Sequence, residues 1–153
     1  MPTTPQSKVS RRLTEAVAPE VRDLIYQPRL GNEFTDSFVY LHEINQAHLL
    51  MLGQQRLLTE QTVRTLAAAL CRIDAEGPQA IALDPQLEDA YFNYEAHLIT
   101  LTGKDVGGRI HLGRSRNDIL ATMDRLRARD LLLNIVEALA AARRTALDRA
   151  AQY

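Results

Sequence analysis

The sequence predicts an all-α protein. Apolar residues recur at spacings of three and four through most of the chain, and no strand-like alternation of any length occurs. From Ser115 to Gln152 there is neither a Pro nor a Gly, which leaves room for one very long helix. The 153 residues are 46% hydrophobic and 24% charged, enough apolar material for a single core. With three Phe, five Tyr and no Trp, that core must be largely aliphatic. A formal net charge of −1 argues against a dedicated nucleic-acid binder. The single cysteine, Cys71, excludes an internal disulfide framework and a multi-cysteine metal site. No apolar run approaches the roughly 18 residues that span a bilayer. The N-terminal residues lack the apolar stretch of a secretory signal, so no membrane role and a cytoplasmic setting are expected.

The elements follow in order. Residues 1–12, with Pro2 and Pro5 among polar neighbours, read as a flexible leader. A short helical pattern from Leu13 to Ile25 is interrupted at Pro19. Tyr26 to Asn32 reads as a turn, because Pro28 disfavours helix at Gln27 and Gly31 permits a positive φ. From about Glu33 to Gln55 a helix is expected, with Phe34, Phe38, Leu41, Asn45, His48 and Leu52 on one stripe. Thr59 is a plausible N-cap for a helix from Glu60 to about Ala75, ended by Gly77-Pro78. Asp84-Pro85 signals a further start, for a helix reaching Gly103. Ser115 and Asp118 have capping-box spacing at the head of the long helix. At about 34 residues that helix would be about 50 Å long, more than a chain of this size can cover. Its apolar face, including Ile119, Met123, Leu126, Leu133, Val136 and Leu139, therefore calls for partners outside the chain. The organisation expected is an N-terminal helical domain over 13–113 and a long bundle helix over 114–153.

Chemistry concentrates between Gly107 and Asp118, where three Arg, one His, one Ser and one Asn fall within twelve residues. The segment runs straight into a helix N-terminus, whose free N–H groups and dipole favour an anion. An Arg fork matches a carboxylate or phosphate, and Asn and Ser add neutral donors. Two readings fit the composition: an anion-recognition loop, or a solvated basic loop in which Ser115 and Asp118 only cap the helix. Elsewhere the bland reading prevails. His48 reads as a satisfied core residue, His42 and His97 as polar or boundary positions, and Cys71 as buried packing. His42 and His48, six apart, do not share a helix face as paired metal ligands would. Glu88 and Asp89 suit a helix start, and the run from Arg125 to Arg129 suits a solvated face.

Gly113 to Asp118 reads Gly-Arg-Ser-Arg-Asn-Asp, which resembles the GRSRND motif of the argininosuccinate lyases of the fumarase–aspartase superfamily. The flanks are similar too. His111 precedes the motif, with Leu112 in place of the family's Thr. Ala121-Thr122 follows it. Glu88-Asp89, then Glu95, then Leu98-Ile99 resembles an upstream helix of the family, and Leu57-Leu58-Thr59 resembles one of its helix junctions. The likeness extends over most of residues 33–153. It implies the N-terminal portion of an all-α lyase: its first domain and the start of its central long-helix bundle. The activity implied is a β-elimination that cleaves argininosuccinate to arginine and fumarate, within arginine biosynthesis. The resemblance assigns substrate binding to Ser115, Arg116, Asn117, Asp89 and Thr122. It places no catalytic residue in this chain, because the family's base serine and partner histidine are expected beyond Tyr153. It implies a homotetramer, no metal and no organic cofactor. The residues from Tyr26 to Asn32 depart from the family's pattern, as does Leu112. This keeps open another N-substituted aspartate, such as an aminopolycarboxylic acid, as substrate, and a non-catalytic helical fragment as the alternative class. The 153-residue chain alone is expected to be inactive.

Overall fold

The computed structural model describes residues 17–153. The leader at 1–12 and the beginning of the helical pattern at Leu13 lie outside the described residues. Every regular element among the described residues is helical, so the all-α expectation holds. A single turn at Pro19–Val21 and a π-helical stretch at Arg22–Tyr26 lead without a break into α1, Gln27–Gln54. Then come α2 (Glu60–Glu76), α3 (Ala90–Thr102), the short α4 (Lys104–Gly107) and α5 (Arg116–Ala150). Short 3-10 turns at Pro78–Ala80, Pro85–Leu87 and Gly108–His111 join them.

The turn expected at Tyr26 to Asn32 is helix instead. The physical reason lies at Pro28. The N–H of Gln27 still bonds five residues back to Arg22, and the register then tightens to the ordinary four-residue spacing. That change falls where proline has no N–H to offer, so the helix passes it without losing a bond. The helix expected from Asp84 is also divided. Asp84 caps only the 3-10 turn, its Oδ1 accepting from Gln86 N at 2.9 Å. Asp89 then caps α3, its Oδ1 accepting from Phe92 N at 2.9 Å.

The caps explain why the other elements start where they do. Thr59 Oγ1 accepts from Thr62 N, as the spacing predicts, a contact worth about 1 kcal/mol. Gly77, at φ 72°, ends α2. The core joins one face of each helix: Phe34, Phe38, Leu41, Leu49 and Leu52 from α1; Leu66, Leu70 and Ile73 from α2; Tyr91, Tyr94 and Leu98 from α3; Ile119 and Met123 from α5. Gly107 allows α4 to fold back on α3, since a Cβ there would lie 2.8 Å from the Ile99 backbone and 2.7 Å from Thr102 Oγ1.

Two side chains sit on the opposite side from expectation. His42 is buried, stacked on Phe38 with ring centres 5.8 Å apart. It follows Phe38 by four residues and precedes Asn45 by three, so it shares their stripe, while His48 falls at its edge and is half-buried. Cys71 is exposed, because it follows Leu70 by one residue and points away from the face that Leu66, Leu70 and Ile73 bury. The first half of α5 packs on α1. From Leu131 onward every residue is exposed, including Leu132, Val136 and Leu139. No helix among the described residues is long and apolar enough to cross a membrane.

Candidate anion-recognition site at the head of the long helix

The segment 107–117 is less of a loop than its glycines suggest. Gly107 ends α4, Gly108–His111 forms a 3-10 turn, and α5 begins at Arg116. Only Leu112 to Ser115 lie outside helical elements, with Gly113 at φ 76° reversing the chain. Both halves of the capping box form. Ser115 Oγ accepts from Asp118 N at 3.4 Å, and Asp118 Oδ2 accepts from Ser115 N at 2.7 Å. The bond from Ser115 N, with the Ser115 hydroxyl adding to it, holds the exposed Asp118 carboxyl below its ordinary range. Arg116 and Asn117 follow as the first two helical residues, where backbone N–H groups have no carbonyl within the helix to bond. Asn117 is exposed. Ser115, Arg116 and Asn117 thus stand together at the positive end of a 35-residue helix.

The structure also brings Asp89 to this place. Arg116 NH1 donates to Asp89 Oδ2 at 3.2 Å and to Glu88 Oε2 at 3.1 Å. Its guanidinium carbon lies 5.0 Å from the centre of the Phe92 ring. Burial raises the Asp89 carboxyl above its ordinary value, and the bond from Phe92 N and the charge of Arg116 oppose that shift. Thr122 is placed elsewhere. It lies more than one helical turn further along α5, and its hydroxyl donates to Asp118 O at 2.7 Å. With His48, Arg114, Asp118, Ile44 and Ile119 it lines a shallow cavity of about 430 Å³ between α1 and α5.

A buried polar network beneath the site went unseen in the sequence. Arg114 turns inward, donates to Asn45 Oδ1 and lies over the Tyr91 ring. Its Nε and NH1 are buried without a partner among the described residues, and burial lowers its proton affinity. Tyr91 OH donates to Glu95 Oε1 at 3.0 Å and lies 2.6 Å from His111 Nδ1. Glu95 is almost fully buried. Burial raises the Tyr91 hydroxyl strongly, with the Glu95 charge adding to it, so it stays a neutral hydrogen-bonding group. This network ties the segment before α5 to α3. Spacing could have flagged Tyr91 and Glu95 as one helix face, but His111 meets Tyr91, and Asn45 meets Arg114, only through the fold.

Fold and site define a class: an all-α protein with serine, arginine and asparagine grouped at the head of a long, half-covered helix. Comparison with known proteins narrows it. The chain is 38% identical over 142 residues to argininosuccinate lyase 1 of Shouchella clausii, an alignment covering 93% of this chain and 28% of that protein. It is 37% identical over 146 residues to an argininosuccinate lyase of Methanospirillum hungatei, covering 86% of the chain and 30% of that relative. A third, from Methanosarcina acetivorans, is 35% identical over 149 residues, with 96% of the chain and 29% of the relative covered. No family model matches the chain. The chain is thus similar to argininosuccinate lyases over most of its own length, and it spans under a third of the length of these relatives.

Proposed function

We propose that the chain forms the N-terminal part of a carbon–nitrogen lyase that cleaves argininosuccinate to arginine and fumarate. The observation that carries this reading is the grouping of Ser115, Arg116 and Asn117 at the capped N-terminus of α5, with Asp89 against Arg116. A β-elimination removes a proton beside a carboxylate, and negative charge then builds on that carboxylate as the carbon–nitrogen bond breaks. Donors fixed in advance around it stabilise this charge without having to reorganise. Arg116 offers a planar fork, Asn117 a side-chain amide, Ser115 a hydroxyl, and the first turn of α5 free N–H groups. Asp89 orients Arg116. Thr122 lies apart from this group, further along α5, with its hydroxyl donating to Asp118 O.

The chain's own residues in this reading bind and orient the substrate; the proton-abstracting base belongs to a part of the enzyme beyond Tyr153. The exposed apolar half of α5 supports a helix-bundle homotetramer, and the family relationship supports a cytoplasmic role in arginine biosynthesis. The test is Asn117→Ala in the full-length protein. Its kcat/KM for argininosuccinate should fall about a hundredfold, the loss seen when one charge-stabilising donor is removed. Its melting temperature should stay within about a degree or two, since Asn117 is exposed. Equal losses of stability and turnover would make Asn117 a structural helix-start residue and sink the reading.

A further inference from the structure

Glu88 has φ 73° and ψ −54°, a conformation that residues with a side chain rarely adopt. Asp89 N donates to Leu87 O at 2.9 Å, which closes a three-residue turn centred on Glu88. The surrounding structure fixes this turn from both sides. The buried Asn93 accepts from Asp84 N at 2.7 Å and donates to Asp89 O at 2.8 Å, while Leu87 is buried just ahead of it. The result is unusual for neighbours. Consecutive side chains of extended backbone point to opposite sides, yet the Glu88 and Asp89 carboxylates both reach one nitrogen, NH1 of Arg116. NH1 is held at two points and the guanidinium lies against Phe92. Nε and NH2 of Arg116 make no hydrogen bond to the described residues.

We propose that Glu88 is a positioning residue for substrate binding: its strained turn brings a second carboxylate onto Arg116 NH1, which holds the rest of the Arg116 fork out toward the substrate's carboxylate. This rests on the reading of Arg116 as the carboxylate-binding residue, and deepens it. Strain of this kind persists only where neighbouring contacts over-determine it, as Asn93 does here.

The test uses the full-length protein, with fumarate as the probe in an equilibrium titration and melting temperature as the control. Glu88→Gln removes one negative charge beside an anion site. If Glu88 acted only as a nearby charge, its removal would tighten fumarate binding. As a positioning residue, its loss weakens binding, by about tenfold for one well-placed charge-assisted contact. The KM for argininosuccinate should rise by a similar factor, with kcat changing less. Glu88→Gly should weaken fumarate binding as Glu88→Gln does, yet melt above Glu88→Ala, because glycine relieves the positive φ. Unchanged or tighter binding by Glu88→Gln, with Arg116→Ala still weakening binding, would overturn the inference and leave the site reading standing. Fumarate binding untouched by Arg116→Ala would overturn both.

Discussion

Arg114 and Arg116 stand two residues apart and do opposite work. Arg114 turns into the fold, onto Asn45 and the Tyr91 ring, while Arg116 stays at the rim between Glu88, Asp89 and Phe92. The motif showed two arginines near a helix start, but not which of them would be consumed by the fold. That depends on residues such as Asn45, 69 positions away from Arg114. His42 is a similar case. Its burial comes from Phe38 and Tyr94, and burial depresses its pKa, with Asp74 and Glu43 opposing. A histidine depressed in the folded state binds fewer protons there than in the unfolded chain. Its stabilising contribution is present above about 6.5 and is lost as pH falls through the folded value. His48 and His97 are depressed by burial as well and act in the same direction. The melting temperature should therefore fall between pH 7.5 and 5, and His42→Gln should flatten part of that fall. A slope unaltered by the substitution would place the acid sensitivity elsewhere.

At the scale of elements, most starts and stops were legible because they depend on local chemistry. Thr59, Gly77 and the Ser115–Asp118 pair act within one turn of their own positions. What escaped reading was backbone that neighbouring elements decide: the π-to-α change at Pro28, and the strained turn at Glu88 pinned by Asn93. Gly107 belongs to the same group. It is glycine because α3 comes close to it, a packing that only the fold decides. Gly107→Ala should destabilise the protein by about 1–3 kcal/mol, because the new methyl meets backbone that cannot step aside. Chemical denaturation would show this as a lower midpoint with an unchanged slope. A neutral result would mean that α4 shifts freely against α3.

At the scale of the whole molecule, the sequence showed that the last helix is too long for its own chain to cover, and the exposed Leu132, Val136 and Leu139 bear that out. In the homotetramer proposed above, this apolar stripe is the surface that packs on other helices. Replacing Leu132, Val136 and Leu139 together by Lys in the full-length protein should reduce the assembled mass in light scattering. It should spare the fold of residues 17–130, whose core these side chains do not touch. An unchanged mass would remove α5 from the assembly surface. The chemistry proposed for this protein lies at the head of the same helix. The most direct test supplies argininosuccinate to the purified full-length protein and follows both products. Fumarate and arginine should appear in equal amounts, and no such release should occur from adenylosuccinate or from an aminopolycarboxylic acid. Failure with argininosuccinate, alongside cleavage of another N-substituted aspartate, would contradict the substrate assigned here. Failure with every such compound would contradict the lyase reading itself.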